Sequence, residues 1–300
     1  MPQIRANGID LEYESRGPAT GEAILLIMGL GAQMTRWPAA MTDKLIARGF
    51  RVILFDNRDV GLSHKFDDAG VPDVGAVIKA VSEGRKPDVA YTLGEMAADA
   101  VGLLDALGIA KAHIVGASMG GMIAQLVAAD YPGRVLSLTS IMSTSGGRGL
   151  PTARPEAIAV LNQRGPDPHA DLEGFLAHAL SSARTIGSPS YPPDAAEHRR
   201  RTLADFQRSH YPPGFSRQYA GVMASPDRRP KLKTITAPTV VVHGADDPLV
   251  PVEGGRDTAA HIPGAELRVI AGMGHDLPPA LYDQIVEAIA RAVERSKTRA

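Results

Sequence analysis

The stretch from Ala112 to Tyr131 constrains the fold more than any other part of this chain. Ala112-His113-Ile114-Val115 is a short apolar run of strand type, and Gly116-Ala117-Ser118-Met119-Gly120 follows it directly. From Met119 to Tyr131 apolar residues recur at helical spacing (Met122, Ile123, Leu126, Val127), and Pro132 ends the run. Ser118 therefore sits on a strand-to-helix turn. The small residues Gly116, Gly120 and Gly121 let the turn be sharp and let the helix approach the sheet, which holds the serine in a strained, exposed position. That is the geometry of a nucleophile elbow. A glycine-rich turn with an incidental serine is the bland alternative in a chain with 31 glycines.

A serine hydroxyl is a weak nucleophile near neutral pH, so the elbow reading demands a histidine base and a carboxylate to orient it. Both appear downstream, each after a strand. Thr239 to His243 is a β-branched strand that runs into Gly244-Ala245-Asp246-Asp247-Pro248-Leu249-Val250-Pro251. A helical stretch at Val252 to His261 follows, then a strand at Glu266 to Ile270, then Ala271-Gly272-Met273-Gly274-His275-Asp276.

The rest of the chain alternates in the same way. Gln3 to Arg5 and Asp10 to Glu14 read as a hairpin around Asn7-Gly8, at the sheet edge. Glu22 to Met28 and Arg51 to Phe55 are continuous apolar strands of the kind covered on both faces. Helices are expected at Trp37 to Arg48 and Leu93 to Leu107, with a short one at Val74 to Glu83; a further strand is expected at Val135 to Met142 and a closing helix at Pro278 to Lys297. The loop Asp56-Asn57-Arg58-Asp59-Val60-Gly61-Leu62-Ser63 reads as structural, with Arg58 paired to its acids. The Glu22 to Met28 strand opens into Gly29-Leu30-Gly31, where a dinucleotide fingerprint would need a third glycine in place of Met34. An oxyanion-binding loop suits it better.

Between residues 145 and 232 the alternation lapses and Pro, Arg and His become more frequent. We read residues 1–144 and 233–300 as the core and residues 145–232 as an inserted helical cap, with helical pieces at Pro155 to Arg164, Leu172 to Ala183 and Ala195 to Gln207. Gly187-Ser188-Pro189 and Tyr211-Pro212-Pro213-Gly214 read as the breaks between them. The cap is expected to set the substrate range without supplying chemistry, its aromatics Phe175, Tyr191, Phe206, Tyr211, Phe215 and Tyr219 providing either pocket wall or internal packing.

Composition removes several functions. A formal net charge of −1 makes no case for a nucleic acid or membrane partner, and the absence of cysteine rules out a disulfide or a thiolate nucleophile. His169, His178, His198 and His210 lack zinc spacing, so no metal is expected. Met1 to Gly17 has no apolar leader core and no run is long enough to span a membrane, so a cytoplasmic protein is expected. Arg199-Arg200-Arg201 reads as a solvated helix face, and His113 and His243 as packed residues. Met28, Met122, Met142 and Met273, with Gly29, lie near the loops above the strands, where core filling and an apolar substrate wall are both open. Oligomeric state is not legible.

The segments GASMGG, DNRDVGLS, HGADDPLVP and GMGHDLP together resemble the α/β-hydrolase superfamily, whose members carry Ser, acid and His in this chain order. The Met28-Gly29 start of the oxyanion loop, the RDxG pattern and GMGH narrow the likeness to the bacterial aclacinomycin methylesterase-like carboxylic ester hydrolases. Many superfamily members have His-Gly where this chain has Met28-Gly29; a hole made of backbone amides tolerates that change. The resemblance implies a mostly parallel eight-stranded sheet with helices on both faces, no cofactor, and a small ester as substrate. It also implies Ser118 as nucleophile, His275 as base, Asp247 as the acid with Asp246 as the alternative, and the backbone N–H groups of Leu30 and Met119 as the oxyanion hole. Serine at the elbow argues against the dehalogenases and epoxide hydrolases of the superfamily, which use aspartate there. Carbon–carbon bond hydrolysis, cofactor-free perhydrolysis and a small-molecule receptor role on the same fold stay open.

Overall fold

A computed structural model describes residues 2–298. Its strands are β1 (Gln3–Ala6), β2 (Ile9–Arg16), β3 (Ala23–Ile27), β4 (Arg51–Phe55), β5 (Ala112–Ala117), β6 (Val135–Ile141), β7 (Thr239–Gly244) and β8 (Glu266–Ile270). They form one eight-stranded sheet in the order β1-β2-β4-β3-β5-β6-β7-β8. β1–β2 and β2–β4 pair antiparallel, and every later pair is parallel. Asn7 and Gly8, at φ 47° and 79°, make the two-residue turn between β1 and β2. Positive φ at both positions is what a tight hairpin of right-twisted strands needs.

Alternate residues of the buried strands serve opposite faces of the sheet. On one face Leu25, Ile27, Ile53, Phe55, Ile114 and Leu138 pack against α3 (Leu93–Ala106) and α4 (Met119–Asp130). On the other, Ile24, Leu26, Val52, Leu54, Val115, Val240 and Val242 pack against α1 (Ala39–Ile46) and α11 (Tyr282–Lys297). This is why β3, β4, β5 and β7 read as unbroken apolar runs. α3 starts at a capping box, Thr92 with Glu95. α2 (Val74–Ser82), capped by Asp73, precedes it, and α10 (Val252–His261) joins β7 to β8.

Between β6 and β7 lie α5 (Pro155–Asn162), α6 (Leu172–Ile186), α7 (Ala195–Arg208), α8 (Pro212–Ala224) and the short α9 (Arg229–Leu232). Two local expectations change here and near Trp37. The prolines after Tyr211 were expected to break the chain, yet they begin α8: at the first helical positions the missing N–H has no partner to lose and φ is already helical. Conversely, the helix expected from Trp37 begins only at Ala39, because Trp37 precedes a proline and is held extended at φ −68°, ψ 115°. Among the described residues no helix is long and apolar enough to cross a membrane.

Candidate active site

β5 delivers Ser118 into a backbone conformation that L-residues rarely adopt, φ 56° and ψ −122°. The surrounding structure holds it there. Its N–H donates to Ile141 O at 2.9 Å, while its carbonyl accepts from Gly121 N at 2.9 Å, Met122 N at 3.2 Å and Ser143 Oγ at 2.8 Å. The helix must also pass close to the sheet: a Cβ on Gly116 would lie 2.0 Å from Gly120 O, and one on Gly120 would lie 2.0 Å from Ile27 O. Only glycine fits at either place.

The two downstream loops meet the serine. Ser118 Oγ is 2.8 Å from His275 Nε2, and His275 Nδ1 is 2.7 Å from Asp247 Oδ2. Asp247 is buried, and its Oδ1 accepts from the backbone N–H groups of Leu249 at 2.9 Å and Val250 at 2.8 Å. With a proton on Nδ1 donated to Asp247, Nε2 is left to accept the hydroxyl proton of Ser118. Asp246 lies outside this chain of contacts: it is exposed and accepts from Gly272 N at 2.8 Å.

Neighbouring groups keep the acid in place. His243 is fully buried, its Nε2 bonded to Val250 O at 2.8 Å and 3.7 Å from Asp247 Oδ2; burial holds its pKa below the ordinary histidine value. It is packed, as expected. The loop that carries His275 is held from the segment between β6 and β7. His275 N–H donates to Ile186 O at 2.7 Å, Gly274 N–H to Ser188 Oγ at 2.9 Å, and Ser188 Oγ–H to Asp276 Oδ1 at 2.5 Å. Burial raises the pKa of Asp276, and the Ser188 hydrogen bonds partly oppose it.

The loop after β3 crosses directly over the serine. A Cβ on Gly29 would sit 3.1 Å from Ser118 Cβ and 3.6 Å from its Oγ. Gly29, Leu30, Gly31 and Ala32 form a β-turn closed by Ala32 N–H to Gly29 O at 3.2 Å, with Gly31 at φ 66°. Met119 N–H, at the start of α4, is one of the amides that has no carbonyl within the helix. Leu30 thus follows the glycine that crosses Ser118, and Met119 is the residue directly after Ser118.

Met28, Met122, Met142 and Met273 are all buried within the two apolar cores, and a Cβ on Gly29 would lie 3.1 Å from Ser118 Cβ. The loop after β4 needs a correction. Arg58 does not pair with the acids of its own loop; it forms a two-pronged ion pair with Asp99 of α3, Nε to Oδ2 2.6 Å and Nη2 to Oδ1 2.7 Å. The loop acids instead meet the segment after β6: Asp59 pairs with Arg217 at 2.8 Å through both oxygens, and Asp56 with Arg208 at 2.7 Å. Spacing along one chain suggested the local pairing, while the fold brings in partners 41 to 158 residues away. The Arg199-Arg200-Arg201 run also divides: the first two bind Glu173 and Glu197 at the surface, whereas Arg201 is half-buried, donates to Arg36 O, and has its pKa lowered by burial and by Arg36. Phe175, Phe206, His169 and His210 form a cluster of edge-on and tilted ring contacts, centroids 5.3 to 6.3 Å apart, and no cluster of metal-ligating side chains occurs among the described residues.

A strand-to-helix serine at the carboxyl end of a parallel sheet, with acid and histidine on later loops, defines a class. The chain belongs to the alpha/beta hydrolase fold family, whose model matches residues 22–278. It is similar to rhodomycin D methylesterase DnrP of Streptomyces peucetius, 28% identical across 95% of each chain. It is also similar to the putative carbamate hydrolase RutD of Variovorax paradoxus, 30% identical over 84% of this chain and 86% of that one. Among solved structures, the meta-cleavage product hydrolase CumD of Pseudomonas fluorescens IP01 shares the fold with a TM-score of 0.75 at 20% identity, over 99% of this chain and 98% of that one.

Proposed function

We propose that the protein is a serine hydrolase that cleaves carboxylic esters of small to medium, largely apolar molecules through an acyl-enzyme. The observation that carries this reading is the unbroken chain of contacts from Ser118 Oγ to His275 at 2.8 Å and from His275 to Asp247 at 2.7 Å. Ser118 Oγ attacks the ester carbonyl as His275 Nε2 takes its proton, and the imidazolium is stabilised by Asp247. The tetrahedral oxyanion is received by the Leu30 and Met119 amides, each donor contributing about 3 to 4 kcal/mol of transition-state stabilisation. His275 then returns the proton to the departing alcohol. Water repeats the sequence on the acyl-enzyme, freeing the acid and the serine. Helices α5–α9 act as a cap over the pocket, and the methylesterase name of a relative aligned over 95% of this chain supports ester over other acyl substrates.

The test combines labelling with turnover. A serine-directed fluorophosphonate should label the wild type and leave Ser118→Ala unlabelled and inactive but folded. The wild type should hydrolyse p-nitrophenyl acetate or butyrate in preference to a carbamate and a ring-cleavage diketone. Label persisting on Ser118→Ala would mean another nucleophile, and turnover confined to the diketone would replace the ester reading by carbon–carbon hydrolysis. Tight binding without any turnover would make the protein a receptor.

A further inference from the structure

We infer that Gln218, on α8, is a positioning residue that sets the oxyanion loop, so that the cap contributes to the chemistry and not only to substrate choice; this rests on the esterase reading above. Gln218 is fully buried. Its Oε1 accepts from Gly31 N–H at 2.8 Å and its Nε2 donates to Arg58 O at 2.7 Å. Both partners are backbone groups with only one possible role each, so the orientation of the carboxamide follows from them. One side chain thereby ties the loop after β3 to the loop after β4, from positions 187 and 160 residues away in sequence.

The bond falls on the one peptide where it matters. Gly31 N–H belongs to the middle peptide of the Gly29–Ala32 turn, the unit that is free to flip when a β-turn changes type. Holding that N–H on a buried acceptor fixes the turn, and with it the pose of Leu30, whose own amide is the oxyanion donor one residue upstream. Phe215, three residues before Gln218 and so on the same helical face, presses on the same peptide: a Cβ on Gly31 would meet Phe215 Cδ2 at 2.6 Å. α8 itself is fastened by Arg217 to Asp59. The setting of the hole thus depends on the seating of α8.

The experiment compares Gln218→Leu with Gln218→Glu on a p-nitrophenyl ester, together with inhibition by a trifluoromethyl ketone. The ketone adds Ser118 Oγ to its carbonyl carbon, and the resulting oxyanion needs the same hole. Leucine should lower kcat by ~10- to 100-fold with little change in KM, and weaken the ketone in parallel, the pattern of a lost transition-state interaction. Glutamate keeps an acceptor opposite Gly31 N–H and, in its protonated form, a donor opposite Arg58 O, so toward the acid end of the activity range it should retain the larger part of both, a rescue that mere packing would not produce. Wild-type kcat and ketone affinity in folded Gln218→Leu would overturn the inference, as would a loss confined to KM. Should leucine not fold, a Gln218→Glu protein that loses kcat with unchanged ketone affinity overturns it equally. A wild type that hydrolyses no ester and takes no phosphonate on Ser118 overturns the esterase reading instead.

Discussion

Two adjacent aspartates, one exposed and one buried, differ in what they touch. Asp247 holds His275 through Oδ2 and is itself aimed by two backbone amides on Oδ1, while Asp246 only accepts from Gly272 N–H. Asp247→Asn keeps the shape but presents a donor to Nδ1 in one orientation and cannot stabilise the imidazolium in either. By analogy with the same exchange in serine proteases, kcat should fall by about 10⁴-fold, whereas Asp246→Asn should stay close to wild type. Steady-state kinetics on one ester decides it; the reverse order of losses would move the acid by one residue. The sequence motif pointed to Asp247 over Asp246, and the Asp-x-x-Val-Pro spacing reflects a physical need, since Oδ1 caps the amides two and three residues on.

At the scale of elements, α8 is the member that sequence reading missed and the site relies on. Its docking centres on Arg217 and Asp59, whose side chains are 2% and 0% exposed. Asp59 also accepts from Tyr91 Oη at 2.6 Å and Phe66 N at 2.9 Å. Removing the cation alone leaves a buried carboxylate that still has two neutral donors but no counter-charge. Arg217→Met should therefore cost about 3 to 5 kcal/mol in urea unfolding, and adding Asp59→Asn should recover part of that. If Arg217→Met is neutral, the pair does not hold α8 down. The loop after β4 differs from its expectation for the same reason: two aspartates around an arginine suggest self-pairing, but the fold brings Asp99 to Arg58 and brings Arg208 and Arg217 to the two aspartates.

For the whole molecule, the sheet puts Ser118, Asp247 and His275 at one end and the buried His113 near the opposite end of β5. Ser118, Asp247 and His275 all follow the carboxyl ends of parallel strands β5, β7 and β8, the edge at which such sheets bind ligands. His113, near the amino end of β5, is 1% exposed, bonded through Nδ1 to Ser137 Oγ at 2.9 Å, and packed edge-on to Phe50. Burial lowers its pKa from 6.5 to about 4, although Glu22 nearby opposes the shift. The unfolded chain therefore takes up this proton near pH 6.5 while the folded protein resists it until near pH 4. Its contribution to stability is complete above pH 6.5 and is lost as pH falls through that window, on the order of 3 kcal/mol in all. Urea midpoints measured at pH 7.5 and 4.5 should differ less in His113→Gln than in wild type; equal pH sensitivity would assign the acid slope to other groups.

What the amino-acid sequence determined by itself is whatever depends on neighbours a few residues apart. Unbroken apolar strands, helices with their caps, the Asn7-Gly8 turn and the strand–glycine–serine–helix run all follow from local periodicity and sterics. The order of serine, acid and histidine after β5, β7 and β8 was legible for the same reason. What only the tertiary structure decided are pairings between distant segments: Arg58 with Asp99, Asp59 with Arg217, Ser188 with Asp276, and Gln218 across two loops. A buried polar side chain takes whichever partner the packing of elements brings within about 3 Å, and no spacing along the chain encodes that choice. The proline-started α8 belongs with them, because a proline pair reads equally as a stop or a start until the helix has a surface to cover.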